Sequence, residues 1–190
     1  MADRPNQKFR FEPLDKAKHN RAAFFCEHER LNIYLKEQAN QDINKRVAAV
    51  YVLTPDGKVI AGYYTLSQYS IDAGELPHEV TRRFHVPRYD KLPATLLGRL
   101  ARSKEFKGAG LGEILLMGAL KKALEHSRNI ASFVIVVDAK DDKAKDFYKD
   151  FGFMDLPGHP NRLFIPMQTV EQLFPEGALN ATAGHQSEHE

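Results

Sequence analysis

The chain has 190 residues, 43% of them apolar and 27% charged, with a formal net charge of +2. That is the size and balance of one compact domain with a buried core, and it excludes fibrous and low-complexity classes. No apolar run approaches the ~18 residues that cross a bilayer, MADRPNQKFRFEPL lacks the apolar stretch of a secretory signal, and the lone cysteine, Cys26, excludes an internal disulfide and fits a reducing cytoplasm.

The charge is unevenly spread. All 27 Lys and Arg precede Glu171, whereas four of the 25 Asp and Glu lie from Glu171 onward. A basic body with an acidic tail permits a polyanionic partner without requiring one. Cys26 sits in an apolar stretch (AAFFCEHERL), where a thiol serves more often as core than as nucleophile.

In chain order, KFRFEPL (8–14) alternates and predicts a first strand. Residues 15–28 predict a helix capped by Asp15, with Ala22, Ala23, Phe24, Phe25 and Cys26 as its apolar positions. Leu31, Tyr34, Leu35 and Ala39 recur at helical spacing over 29–41. VAAVYVL (47–53), the turn Thr54-Pro-Asp-Gly57 and VIAGYYTL (59–66) predict a hairpin, extended through Ile71, with Gly62 marking a bulge or a close approach. Residues 72–93 are irregular, with one or two helical turns from Leu76 and a two-proline loop ending at Pro93. A strand follows over 94–102, then a glycine-rich turn and a helix over 112–127. The unbroken apolar run 131–137 reads as a strand buried on both faces. Next come a helix over 141–151 capped by Asp141 or Asp142 and ended by Gly152, a strand at 153–156, a turn at 158–161, a strand at 162–167 and one helical turn over 169–174. Residues 1–175 form one domain on this reading, and the small polar residues of 176–190 predict a disordered acidic tail.

The unit that organises the chain is 96–148. Its glycine loop, Lys107-Gly108-Ala109-Gly110-Leu111-Gly112, joins a strand to a helix. Glycines there bring backbone close to a ligand, the first N–H groups of the helix point outward unpaired, and the helix dipole favours an anion such as a pyrophosphate. A tight strand-to-helix connection would look much the same. Two nucleotide loops fail on spacing. A Walker loop needs Lys-Ser or Lys-Thr after its last glycine, where this chain has Glu113-Ile114. A dinucleotide fingerprint needs G-x-G-x-x-G at the first βα turn.

Lys107-Gly-Ala-Gly110-Leu-Gly112 resembles the acetyl-CoA loop of the GNAT acetyltransferases, Gln/Arg-x-x-Gly-x-Gly/Ala, with Lys in place of Gln or Arg. About 35 residues on, Ala144-Lys-Asp-Phe-Tyr148-Lys-Asp-Phe-Gly152-Phe153 matches the family's Ala-x-x-x-Tyr-x-x-x-Gly-Phe without a gap. The residue three before that alanine is often Asn; here it is Asp141. A narrower likeness, to the GNAT toxins of type II toxin–antitoxin modules, rests on Phe25-Cys-Glu-His-Glu-Arg-Leu31, Gly62-Tyr-Tyr-Thr-Leu66 and Leu97-Gly-Arg-Leu-Ala101; many of those toxins carry Asp at the position of Asn32.

The resemblance implies an α/β (α+β) fold: a mixed, mostly antiparallel sheet of six to seven strands, with a splayed parallel pair (94–102 and 131–137) and helices on both faces. It implies acetyl-CoA as co-substrate, its pantetheine arm on the backbone of Leu100, Ala101 and Arg102, its pyrophosphate on Lys107, Gly108, Ala109, Gly110, Leu111 and Gly112, and Asp141 nearby. An unprotonated amine would attack the thioester directly. A backbone N–H near Leu100 or Ala101 would polarise the carbonyl, and Tyr148 would hydrogen-bond or protonate the leaving thiolate. The other reading of Tyr148 is a core tyrosine beside Phe147 and Phe151.

The narrower likeness to the toxins implies, as the favoured acceptor, the amino group of aminoacyl-tRNA, acetylated by a translation-inhibiting toxin. The alternatives are a small-molecule or protein amine and, from another class, a non-catalytic acyl-CoA-binding module. Glu29, Asp42, Glu75, Glu79 and His85 are the candidates for a base. Arg82, Arg83, Arg88 and Lys91, with Arg99, Arg102, Lys104 and Lys107, are the candidates for a phosphate track; Ser103 and Arg102 could equally meet the carrier's own 3′-phosphate. Eight histidines show no metal spacing, so no metal is expected. The partners to expect are acetyl-CoA, tRNA, a ribbon-helix-helix antitoxin and a second copy of the chain, in the cytoplasm and off the membrane.

Overall fold

The computed structural model describes residues 8–175; the predicted acidic tail lies outside the described residues. Seven strands form one sheet in the order β1-β2-β3-β4-β5-β7-β6. They are β1 (Arg10–Pro13), β2 (Ala49–Thr54), β3 (Gly62–Asp72), β4 (Lys91–Arg102), β5 (Val134–Asp138), β6 (Met154–Asp155) and β7 (Arg162–Pro166). β4 and β5 run parallel and every other pair is antiparallel. The helices are α1 (Glu29–Ile33), a π-helical stretch at Tyr34–Gln38, α2 (Ala39–Asn44), α3 (His78–Arg83), α4 (Leu111–Ser127), α5 (Asp142–Asp150) and α6 (Met167–Gln172). The mixed sheet expected of the resemblance is therefore present.

Three apolar clusters show how the faces are used. On one face Tyr64, Leu66, Leu97, Ile135 and Val137 pack with α4, Tyr148 of α5, and Met167 and Val170 of α6. On the other, Tyr63 and Ala101 pack with Phe24, Cys26, Tyr34 and Leu35 near α1, while Ile71, Leu92, Ala94, Val134 and Val136 pack with Val80 of α3. In β3 the odd residues from Tyr63 to Ile71 point to this second face. β4 changes parity once. Thr65 pairs with Arg99 and Leu66 with Leu97, so Gly98 is an extra, bulged residue. Leu92, Ala94 and Leu96 therefore share a face with Arg99 and Ala101.

Three expectations need correction. Residues 15–28 form turns, not a helix. Asp15 Oδ1 accepts from the Ala17 N–H at 2.8 Å, Asn20 Oδ1 from Ala23 at 3.3 Å, and the Asn20 N–H is taken by the Lys58 carbonyl at 2.9 Å. Short polar side chains that bond the nearby backbone compete with helical hydrogen bonds. Phe24 and Cys26 are buried whereas Phe25 is 50% exposed, an extended-chain alternation rather than a helical stripe. The hairpin loop is also longer than a tight turn: Asp56 Oδ1 accepts from Lys58 and Val59, both at 2.8 Å, and the return strand starts only at Gly62. Finally, β4 begins at Lys91, so Pro93 lies in the strand; a proline keeps its carbonyl, which accepts from the Phe133 N–H at 2.8 Å.

Gly62 is the close approach rather than the bulge. A Cβ there would lie 2.5 Å from Leu115 Cδ1 and 2.9 Å from the Ala101 carbonyl oxygen. Gly62 thus lets α4 settle on β3 directly above the end of β4.

Candidate active site

β5 pairs with β4 only from Ala94↔Val134 to Leu97↔Val137. Beyond that point β4 continues through Gly98 to Arg102, and its β5-facing edge has no strand partner among the described residues. A strand edge without a partner offers N–H and C=O groups to an extended ligand. The bulge at Gly98 stands at the start of this fork. Leu100 packs towards α4 and the buried Ala101 towards the α1 side.

The glycine loop sits at one end of the fork. Gly108 (φ +85°) and Gly110 (φ +67°) occupy left-handed backbone that only glycine adopts without strain, and a Cβ at either would meet nothing within 4 Å. These glycines are required by conformation, leaving the space beside the loop open. Gly110 caps α4 without a side chain. The Ile114 N–H is the first to bond back into the helix, to the Gly110 carbonyl at 3.4 Å. The N–H groups of Leu111, Gly112 and Glu113 thus start a 17-residue helix at its positive end. Lys107 is exposed, with Glu27 Oε1 3.7 Å from its Nζ. Arg102 Nη1 is buried and has no hydrogen-bond partner among the described residues. A buried guanidinium nitrogen is costly to leave unpaired, and this one sits on the last residue of the open β4 edge. Ser103 is committed elsewhere, its hydroxyl donating to the Phe25 carbonyl at 3.4 Å.

α5 flanks the other side. Asp141 caps it by accepting from the Ala144 N–H at 2.7 Å. The carboxylate that stands where the resemblance has Asn therefore fixes the start of the helix bearing Tyr148. Gly152 (φ +88°) ends the segment. Tyr148 is 9% exposed, with its ring 5.5 Å from Phe147 and 5.4 Å from Phe153. Phe147 also lies against Gly112, where a Cβ would be 3.8 Å from its ring, so α5 and the start of α4 are adjacent. Burial pushes the Tyr148 hydroxyl up to about 12, and among the described residues that hydroxyl has no hydrogen-bond partner. It stays a protonated donor across the physiological range.

The remaining candidates separate. Asp42 accepts from the Tyr34 hydroxyl at 3.0 Å, and Glu29 from Asn32 Nδ2 at 3.3 Å. Glu75 pairs with His159 at 3.0 Å, while Glu79 and His85 are exposed, His85 at φ +48°. Among the described residues none of these five side chains hydrogen-bonds to Tyr148. In the basic runs, Lys91 pairs with Asp72 at 2.7 Å, Arg99 stacks 3.6 Å over the Tyr34 ring and Lys104 lies 4.7 Å over Phe25. Arg82, Arg83 and Arg88 remain exposed. Cys26 is buried, its thiol donating to the His28 carbonyl at 3.3 Å, and desolvation raises its pKa, so it is packing. No group of three or more His, Cys, Asp or Glu among the described residues is arranged to hold a metal ion.

Sequence reasoning passed over one feature on the second face. Arg162 donates through Nε and Nη2 to Asp138 at 2.7 and 3.0 Å, and through Nη1 to the Tyr69 hydroxyl at 2.6 Å. Asp138 ends the run read as wholly apolar. The alternation of β5 puts it on the face of Val134 and Val136, one residue beyond the last β4 pairing.

Residues 17–153 match the acetyltransferase (GNAT) family. The chain is 30% identical over 182 residues to a probable toxin TacT of Sinorhizobium fredii, covering 92% of this chain and 99% of that protein. It is 32% identical over 144 residues to a tRNA-acetylating toxin of Mycobacterium tuberculosis, covering 76% and 84%. AtaT complexed with acetyl-methionyl-tRNAfMet superposes with a TM-score of 0.78 at 30% identity, covering 88% of this chain and 99% of that one. A tyrosine-to-phenylalanine mutant of AtaT, bound to acetyl-CoA and the C-terminus of the antitoxin AtaR, superposes with a TM-score of 0.73 at 27% identity, covering 88% and 98%. The family match and these likenesses over most of the chain show that it belongs to the acetyltransferase (GNAT) family.

Proposed function

We propose that this enzyme transfers the acetyl group of acetyl-CoA to the amino group of an aminoacyl-tRNA, and so acts as a translation-inhibiting toxin. The observation that carries the reading is the fork itself: a β4 edge that has no strand partner among the described residues beyond Leu97, running to Arg102 and on to the glycine loop that heads α4. That arrangement suits a carrier with an extended amide arm and a pyrophosphate. The acceptor follows from the likeness to AtaT and to the tRNA-acetylating toxin over most of the chain.

Acetyl-CoA supplies an activated thioester. The chain's own part is to hold and to polarise. Leu100, Ala101 and Arg102 offer backbone groups to the arm, and Lys107, Gly108, Ala109, Gly110, Leu111 and Gly112 present N–H groups and one cation to the pyrophosphate. Asp141 acts by holding α5. Tyr148 donates its O–H towards the sulfur. A phenol near 12 is roughly 3000-fold weaker an acid than a thiol at ~8.5, so Tyr148 stabilises the departing thiolate by a hydrogen bond and keeps its proton, while the surplus proton of the attacking nitrogen passes to water. Residues 1–175 work as one catalytic unit. An aminoacyl-tRNA acceptor places the enzyme in the cytoplasm; among the described residues no helix is long and apolar enough to cross a membrane. A ribbon-helix-helix antitoxin is the corresponding partner, and Arg82, Arg83 and Arg88 are the exposed cations available to tRNA phosphates. The test is mass spectrometry of a charged tRNA pool incubated with acetyl-CoA and the enzyme.

A further inference from the structure

We infer that Asp138 and Tyr69, both held by Arg162, form the subsite that takes the α-aminoacyl group of the acceptor, on the sheet face opposite the carrier. The inference rests on the acceptor proposed above and assigns the residues that would hold its reacting end.

Position comes first. Asp138 directly follows Val137, the last β5 residue paired with β4, so it stands at the opening of the fork. Ile135, Val137 and Ala139 face α4 and Tyr148. Val134, Val136 and, by alternation, Asp138 face away from them. Tyr69 packs on that second face opposite Ala94, and its hydroxyl reaches Arg162. An amine lying against Asp138 would therefore meet the fork from the side that the glycine loop and Tyr148 leave free.

Hydrogen-bond capacity comes next. The two Arg162 bonds occupy one lone pair on each Asp138 oxygen, and an ionised carboxylate can accept more; the side chain is 51% exposed. The Tyr69 oxygen already accepts from Arg162 Nη1, and among the described residues its own O–H donates to nothing. One guanidinium thus holds, on neighbouring nitrogens, an acceptor with room to spare and an unused donor. An α-aminoacyl ester presents the complement: an amine N–H donor and, one carbon away, a carbonyl acceptor.

The charge balance suits the chemistry. A bare carboxylate would favour the ammonium form of the amine, which cannot attack. Arg162 neutralises Asp138, so the pair can orient a neutral amine without raising its pKa. The bidentate geometry also fixes the carboxylate in place.

The probe is a 3′-aminoacylamido-adenosine, a stable mimic of a charged tRNA end, compared with its deaminated counterpart by calorimetry on the CoA-bound full chain. Wild type should bind the amine-bearing probe about tenfold more tightly, the weight of one hydrogen bond to a charged acceptor. Asp138→Asn should erase that preference, and Tyr69→Phe should weaken both probes several-fold while keeping it. Unchanged CoA affinity and melting temperature would show that either variant still folds. A preference that survives in Asp138→Asn, or wild type that does not distinguish the probes, overturns the subsite. If wild type fails to acetylate aminoacyl-tRNA yet prefers the amine through Asp138, the proposed acceptor falls and the subsite stands.

Discussion

The proposed mechanism narrows to one group, the Tyr148 hydroxyl. Burial raises it to about 12, above the ordinary tyrosine value. The sign is clear: a raised pKa keeps the proton on at every pH below it. The rate against pH should therefore show no loss from Tyr148 deprotonation between pH 7 and 10, and any alkaline limb must come from another group. Tyr148→Phe keeps the ring that packs on Phe147 and Phe153 and removes only the O–H. We expect turnover to fall by 10²-fold or more, in the range of a donor that acts on developing charge, with acetyl-CoA affinity changed less than threefold by calorimetry. Equal turnover in the variant would return Tyr148 to the core-tyrosine reading.

Among the elements, the β4–β5 fork depends on close packing at Gly62. Gly62→Ala would press a methyl group against Leu115, which can shift, and the Ala101 carbonyl, which cannot. Overpacking of this kind costs about 1–3 kcal/mol, so thermal melting should show a drop of several degrees together with weaker acetyl-CoA binding. At the β1 edge, Glu12 accepts from Arg10 and Lys18 and lies 3.2 Å from His19 Nε2. The hydrogen bonds from Lys18 and Arg10 hold its carboxyl at about 2. A depressed folded-state pKa means stability that is present above the unfolded value of ~4.3 and lost as pH falls through the folded one. Glu12→Gln should cost about 1 kcal/mol at pH 7, since both cations are half exposed, and the difference from wild type should vanish near pH 2 in urea melts. These elements also show what could be read in advance. The β5 strand, the glycine loop and a cap at Asp141 or Asp142 were legible because each depends on local chemistry: an apolar β-branched run, a cluster of glycines between strand and helix, a short acidic side chain; the fork between β4 and β5 came from the family resemblance alone. The 15–28 segment was not legible. Its apolar run AAFFC carries no period, and what decides it is Asn20 held by the distant Lys58 carbonyl.

For the whole molecule, the proposed mechanism divides the work between the two faces of the sheet. The carrier's face is built from contiguous motifs in 96–153, which is why it could be read residue by residue. The acceptor's face joins Tyr69, Asp138 and Arg162, brought together from three strands by the sheet order alone, and no local pattern marks that. The bulge at Gly98, which sets the parity of β4 between those faces, likewise shows only in the register with β3. Charge was equally hard to read from spacing, because Lys91, Arg99 and Lys104 are engaged by Asp72, Tyr34 and Phe25 and Arg83 lies over Phe84, which spacing alone does not show.

The most direct measurement is mass spectrometry of the aminoacyl-adenosines released by nuclease from a charged tRNA pool, after incubation with acetyl-CoA and either wild type or Tyr148→Phe. The account predicts N-acetylated aminoacyl-adenosine with wild type and almost none with the variant, while free amino acids and polyamines stay unmodified. Unmodified aminoacyl-tRNA alongside rapid acetylation of a free small amine or a peptide would contradict it.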